Sequence, residues 1–511
     1  MPEYLSPGVY TEEVEIGAKP IEGVSTSTVG FLGETERGPT RPRLVTSFLE
    51  YQRVFGSYFG VDKYVPYAVQ GFFDNGGQRC FISRIVKSDA QHAGFEHGAL
   101  NIVAVGEGKW GNGIAFKITT PGTVGTGFKL SVFYWEQGMP ESIFDPNEEP
   151  NKTPKPAISE VFDNLSTDNR SKDYYEKRIN GISNLIKITA ENQEEEPSAI
   201  DITPLEDGND GDGNLTLSDY KRADTDKPGE RRGLSAFTEI DEISIVYSPN
   251  AQVVQGLIDE LITHCETLKD RFLIIDSPPN SNEIGNLDPR DPLKTGSRDT
   301  KYAAFYYPWI KVNNSKSGKL ETIPPGGHIA GIYARTDTER GVHKAPANEV
   351  VRGAVDLEFQ ISKREQDILN PIGVNVIRFF RGRGIYIWGA RTVSKDSLWK
   401  YINVRRLFNY LEESIEEGTQ WVVFEPNDEK LWARVKLTLT EFLTRVWRDG
   451  ALMGTKPEEA FFVKIDRTTM TQDDIDNGRL IALIGIAPVR PAEFVIFRIA
   501  QVPSGATITE A

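Results

Sequence analysis

Short apolar runs alternate with helical patterns through the second half of the chain. EISIVYSP (242–249) is β-branched and apolar, Asn250 then opens a stretch with Val254, Leu257, Ile258, Leu261 and Cys265 at helical spacing, and RFLIIDSP (271–278) follows as another apolar run. Strand, helix and strand at this spacing predict a right-handed βαβ crossover in a parallel sheet. AAFYYPWIKV (303–312) extends the pattern, and RFFRGRGIYIWGAR (378–391) reads as a hairpin. Two long amphipathic helices come next. One runs from about Ser397 to Glu417 with Leu407, Leu411 and Ile415 on one face; the other runs from about Asn427 to Asp449 with Leu431, Val435, Leu439, Phe442 and Val446 inward and Gly450 to stop it. The two ends lack this texture: EYLSPGVYTEEVEIG and PAEFVIFRIAQVPSGATITEA are extended by composition, and no repeat of fixed period occurs.

Charge divides the chain further. Between Glu136 and Ser235 stand 23 acidic and 12 basic residues, a difference of −11 within a total of −16. NEEPNKTPKP, ENQEEEPS and EDGNDGDGN read as solvated loops around a strand expected at Ile182–Thr189, and the block as part of an inserted unit beginning near Leu100. At 511 residues two or three domains are expected. The predicted fold is α/β: a mixed-sheet core with flanking helices built from N- and C-terminal parts, an inserted β-rich domain, and extended terminal arms. The boundaries drawn are an arm over 1–23, a core over 24–99 plus 236–490 that turns to α+β from about 372, an acidic outer insertion over 100–235, and a C-terminal strand and arm over 491–511.

Composition also excludes function classes. A net charge of −16 without a lysine/arginine cluster argues against nucleic acid as a partner. No run approaches the ~18 apolar residues of a membrane span, and MPEYLSPGVY lacks the order of a signal peptide, so a cytoplasmic protein without membrane insertion is expected. Cys80 and Cys265 stand far apart and suggest neither a disulfide framework nor a metal site.

Candidate chemistry is sparse. GEGKWG (106–111) matches a dinucleotide-binding glycine pattern, but the following NGIAFKITT alternates as a strand, where that motif needs a helix to hold the pyrophosphate. DGNDGDGNLTLSDYK (207–221) fails the calcium-loop register, with Leu215 in the glycine position and Lys221 in the glutamate position. None of His92, His97, His264, His328 and His343 lies in a local catalytic signature, and His264 falls beside an apolar stripe as a packing residue would. HIAGIYARTDTERGVHKAPANE (328–349) is the strongest candidate site. Its Arg335, Asp337, Glu339 and Arg340 suit a helix, with Asp337 and Arg340 on one face, yet no nucleophile or ligand spacing accompanies them. Mixed charges of this kind equally serve an interdomain or inter-subunit network. Neither a cofactor nor a metal is expected.

With its preceding PPGG, that segment resembles the signature of contractile tail sheath proteins, found in contractile-tailed phages and phage-like bacterial injection machines. YLSPGVYTEEVEIG, VSTSTVGFLGETERGP, GKWGNGI, WGARTVSKDSLWKYINVRRLFNYLEESI and GRLIALIGIAPVRPAEFVIFRIAQ resemble the family in the same order. The acidic block matches no pattern. The resemblance implies a structural subunit, not an enzyme, that stacks as hexameric rings around an inner tube protein in a metastable extended sleeve and contracts to drive the tube through an envelope. It implies as partners neighbouring copies, the inner tube, and baseplate and terminator or cap proteins, with assembly in a bacterial cytoplasm into a phage tail or tail-like particle. It also implies termini that add strands to neighbouring subunits. Pro7, Gly8, Val9, Tyr10 and Val14 at one end, and Phe494, Ile496 and Ile499 at the other, are the linking residues expected. Arg335, Asp337, Glu339 and Arg340 are expected to order the core or an interface. A hydrolase-like α/β enzyme and an adhesin or receptor-binding module are the competing classes; the missing nucleophile elbow and metal motif speak against the first.

Overall fold

The structure, a computed structural model, describes residues 20–97, 100–122, 127–190, 197–222 and 227–497. The first strand, β1 (Val29–Gly33), is buried at every position. Such a run without polar alternation needs cover on both faces, as in parallel sheets. β2 (Arg43–Val45) follows, then helix α1 (Phe48–Phe55), capped by Ser47 accepting from the Glu50 amide, α2 (Val65–Asp74), and β3 (Cys80–Arg84). α1 and α2 are not among the elements that the pattern predicts; in VPYAVQGFFD only Gln70 and Asp74 are strongly polar, too few to mark a helix face in so apolar a run.

The chain then leaves for a β-rich unit. β4 (Gly94–His97), β5 (Leu100–Ala104) and a later strand form one small antiparallel sheet; β6 (Ile114–Thr119), β7 (Phe128–Tyr134), β8 (Ile158–Leu165) and the strand β10 (Ile200–Pro204) form a second, in the order β10-β6-β7-β8. Both sheets pack around Leu100, Ile102, Phe116, Leu130, Val132 and Ile188. The third strand of the first sheet, β9 (Ile186–Ala190), starts later than the expected Ile182, because Ser183 Oγ accepts from the amides of Leu185 and Ile186 and turns the chain there. The short helix α3 (Tyr175–Ile179) packs on this unit. GKWGNGI forms a tight helical turn over Lys109–Gly113 that feeds β6, so no helix follows the glycines.

α4 (Leu217–Lys221), closed by a reciprocal cap between Thr216 and Asp219, returns the chain to the core. There β11 (Ile245–Tyr247), α5 (Leu257–Leu268) and β12 (Phe272–Asp276) form the expected unit, with β11 and β12 parallel neighbours. After the short α6 (Pro292–Thr295), AAFYYPWIKV divides: β13 (Ala303–Tyr307) joins the central sheet, whereas β14 (Ile310–Asn313) joins a separate three-stranded sheet. Pro308 has no N–H to continue the ladder. β14 pairs with β15 (Leu320–Ile323), and then come α7 (Gly326–Arg340), β16 (Glu349–Val350) and β17 (Ala354–Leu357), which pairs with β14 on its other side. α8 (Lys363–Leu369) precedes β18 (Val374–Phe380) and β19 (Gly384–Ile387), which form the expected hairpin.

The nine-stranded central sheet has the order β16-β19-β18-β13-β12-β11-β1-β3-β2, with the run from β18 to β3 parallel and antiparallel strands at both edges. Alternate residues feed opposite cores. Phe31, Tyr247, Ile274 and Tyr306 meet α1, α2 and α7; Leu32, Val246, Leu273 and Phe305 meet α5. A further core belongs to α9 (Ile402–Gly418) and α10 (Glu429–Arg448), where Leu407, Leu411, Leu431, Val435, Leu439, Phe442 and Val446 are buried with Ile21. α11 (Pro457–Ala460), β20 (Phe461–Lys464), α12 (Gln472–Asp476) and β21 (Leu483–Ile486) complete it. No helix among the described residues is long and apolar enough to cross a membrane.

Glycines bring α7 onto α2 backbone to backbone. A Cβ at Gly327 would lie 2.4 Å from Ala68 Cα, and one at Gly331 would lie 2.4 Å from the Phe72 carbonyl oxygen. Neither obstacle is a side chain that could swing away. Gly331→Ala is therefore expected to lower unfolding stability by about 1–3 kcal/mol through overpacking, whereas Gly285→Ala, in open space, should change it by less than ~0.5 kcal/mol; urea unfolding of both variants checks this.

Candidate functional site

α7 is the helical part of the segment singled out above. Pro325 precedes it and Gly341, in the left-handed region, ends it; all residues from Gly326 to Thr336 are buried. The sheet, α2 and α9 surround it, so its polar side chains must find internal partners. His328 lies against Gly71 and Gly353, and burial pushes its imidazole down to about 4, which keeps it neutral. Asp276 at the end of β12 accepts from the Gly326 amide at 2.9 Å and the Tyr247 hydroxyl at 2.6 Å, while burial pushes its carboxyl up to about 7. Nothing in DSPP announced that role.

The four charges expected to act together do not form one network. Arg335 donates to the carbonyls of Asn75 at 3.2 Å and Val350 at 2.9 Å, with the Glu349 carboxylate 3.6 Å away. Asp337, two residues on and so roughly 200° around the helix, faces the other way. It accepts from Arg406 of α9, Nη1 at 2.9 Å and Nη2 at 2.5 Å, and from Thr26 Oγ1 at 2.7 Å. Arg406 also donates to the Thr26 carbonyl at 2.8 Å and stacks 4.7 Å over the Tyr333 ring, whose hydroxyl lies 2.7 Å from that of Tyr306. Glu339 and Arg340 are exposed at the end of α7. Although Arg340 shares a face with Asp337, the buried arginine occupies the carboxylate. Arg406 was missed because it stands in NVRRLF beside the apolar stripe of α9, a position that periodicity assigns to the core.

The other candidates have structural tasks. Asp210 accepts from the Lys109 amide, Asp219 caps α4, and His264, pushed down to about 3 by burial and Arg271, packs inside the core. Cys80 and Cys265 are both buried, and burial raises both thiols. Among the described residues no group of three or more His, Cys, Asp or Glu side chains is placed to hold a metal ion.

The C-terminal part has a different character. Among the described residues β20 and β21 pair only with each other, and Phe462, Ile481 and Leu483 on and beside them are at least 41 % exposed. Phe494 and Ile496 lie 70 % and 77 % exposed in a stretch that pairs with no strand among the described residues, next to the similarly exposed Val495 and Phe497. Pro7, Gly8, Val9, Tyr10, Val14 and Ile499 lie outside the described residues.

A buried junction and an open rim are features of a protein that assembles. Residues 215–393 match the family model for the phage tail sheath protein central domain, and residues 394–501 match that for the phage tail sheath C-terminal domain. The chain belongs to the phage tail sheath family. Its role is that of a structural sheath protein. A tail sheath protein of Vibrio phage KVP40 is 28% identical over 210 residues, 40% of this chain and 30% of that relative's length. The helical sheath of the anti-feeding prophage, solved in the contracted state, is 26% identical with a TM-score of 0.59, covering 97% of this chain and 99% of that one. A chain from the six-fold symmetrised baseplate of the same particle is likewise 26% identical, with a TM-score of 0.58 and the same coverage. Within this sheath fold, Asp337 belongs to the central match and Arg406 to the C-terminal one, so their ion pair joins the two domains.

Truncating one partner of a buried ion pair strands the other charge. Arg406→Ala is expected to cost about 3–5 kcal/mol of unfolding stability, while Glu339→Ala and Arg340→Ala each change it by less than ~0.5 kcal/mol; denaturant titration of the dispersed protein distinguishes the two classes.

Proposed function

We propose that this chain is the repeating unit of a contractile sleeve and polymerises by exchanging strands at its rim. The observation that carries the proposal is the unfinished β20–β21 sheet. Isolated two-stranded sheets are marginal, and free edges bearing exposed apolar side chains are templates for pairing. Phe494–Phe497 is a short apolar run of the composition that would complete such an edge, and the Pro7–Val14 stretch alternates suitably for the same purpose. If an arm makes about five main-chain bonds at ~0.5–1.5 kcal/mol each, one link is worth several kcal/mol, enough when repeated through a polymer.

In this reading stacked six-fold rings enclose an inner tube protein in a metastable extended state. Contraction repacks core-to-core contacts while the exchanged strands keep the subunits tied. Glu339 and Arg340, exposed at the end of α7, are available to those contacts. Baseplate and terminator proteins bound the sleeve, assembly takes place in a bacterial cytoplasm, and the product is part of a phage tail or tail-like particle. The reading requires no turnover. The solved helical sheath of the anti-feeding prophage in its contracted state supports it, because that chain is matched over nearly its whole length.

Electron microscopy of the concentrated purified protein tests the proposal. Helical sleeves are expected from the full chain and none from a variant lacking Met1–Gly17, whose circular dichroism should stay that of a folded core. Normal sleeves from the truncated chain would defeat the strand-exchange reading.

A further inference from the structure

The chain leaves the C-terminal domain through a ladder of bonds that ends abruptly. Ala487 donates its amide to the Ala460 carbonyl at 2.8 Å, Val489 donates to Ala451 at 3.1 Å, and the Val489 carbonyl accepts from Asn403 Nδ2 at 3.2 Å. Glu493 then receives four donors: Arg391 Nε at 2.6 Å, Asn370 Nδ2 at 2.9 Å, Tyr401 OH at 3.0 Å and Lys400 Nζ at 3.1 Å. Among the described residues none after Glu493 bonds to the body, and the next four are exposed. Glu493 is thus the last fastening before the apolar run.

The grip differs from an ordinary surface ion pair. The Glu493 side chain is only 18% exposed and that of Arg391 only 11%. The donors come from both matched domains, Asn370 and Arg391 from the central one and Lys400 and Tyr401 from the C-terminal one. Arg391 is itself rooted: its Nη1 donates to the Asn370 carbonyl, its amide donates to Asn375 Oδ1 at 2.7 Å, and Asn375 Nδ2 returns bonds to the carbonyls of Arg391 and Phe305. A force applied at Glu493 therefore reaches β18 and β13 of the central sheet through two side chains. Several charge-assisted bonds on one carboxylate are stronger than neutral ones and fix its direction. Burial alone would raise the Glu493 carboxyl, yet the bonds from Arg391, Asn370 and Lys400 outweigh it and hold the group down at about 2, so it stays ionised at any ordinary pH.

We propose that Glu493 is the anchor at which the C-terminal linking segment is fastened to the subunit body, a positioning residue that aims the segment at its neighbour and passes tension into the central sheet. The inference rests on the strand-exchange reading above for its purpose, but the anchoring itself is a property of the single subunit. Without the clip, tension would act first on the weaker main-chain ladder at Val489 and peel it.

A label reports the anchor directly. Because Cys80 and Cys265 are buried, a spin label on Ile496→Cys is selective. With Glu493 intact, the dispersed subunit should show restricted label motion; Glu493→Ala should narrow the spectrum toward that of free coil, and Glu493→Gln, which keeps an acceptor, should fall between. In the unlabelled chain Glu493→Ala should raise the concentration needed for sleeves by about tenfold or more, the factor lost with one charge-assisted bond. Lys400→Ala should reproduce the effect more weakly if Glu493→Ala proves hard to purify. Unchanged label motion in Glu493→Ala, or sleeves at the original concentration, overturns the anchor. Failure of the unaltered chain to form sleeves at all would instead overturn the sheath reading, while the label experiment would still decide the anchor.

Discussion

Asp337 and Arg406 stand 69 residues apart and meet with both side chains almost fully withdrawn from water. Thr26, 380 residues before Arg406, supplies a hydroxyl donor and a carbonyl acceptor to the same pair. Two buried charges are a poor source of net stability, because desolvation offsets their attraction, but removing either leaves the other stranded. Such a pair acts as a registry pin. It requires the start of the central sheet, the end of α7 and the beginning of α9 to be in place together. The rest of the arrangement depends on that: α7 lies on α2 at glycine contact, α9 and α10 build the C-terminal core against it, and the rim of β20, β21 and Glu493 keeps a fixed position relative to the sheet.

A sleeve subunit needs this division between a rigid body and an unsatisfied edge. The body hides its polar groups internally, as Arg335 does on the carbonyls of Asn75 and Val350 and Asp276 on the Gly326 amide. The edge does the reverse, leaving Phe462, Leu483 and the run Phe494–Phe497 exposed. Apolar exposure at a strand edge is a hazard for a monomer and an assembly signal for a polymer. Glu493 marks the border between the two regimes.

The legible parts of the sequence were those where one periodicity ruled locally. β11, α5 and β12 follow from a strand-helix-strand pattern, and α9 and α10 from long apolar stripes that the structure buries nearly residue for residue. The partners of Arg335 and Asp337 were not legible, because a helix sends residues two apart to opposite sides and their acceptors and donors come from distant segments. AAFYYPWIKV hid a change of sheet behind one apolar run, and α2 hid a helix in another. Of the candidate linking residues, only Phe494 and Ile496 carry a structural description, and what they show is exposure. Assembly is legible through the family resemblance, since patterning alone yields an α/β core and says nothing of its neighbours.

Hydrogen–deuterium exchange, compared between dispersed subunits and sleeves of the same protein, tests the central claim of a pre-formed body with an unfinished rim. The account predicts that α7, the central sheet and the start of α9 exchange slowly in both states, while protection on assembly is gained in β20, β21 and the Phe494–Phe497 run. Large gains in α7 or the central sheet, with the rim unchanged, would contradict it.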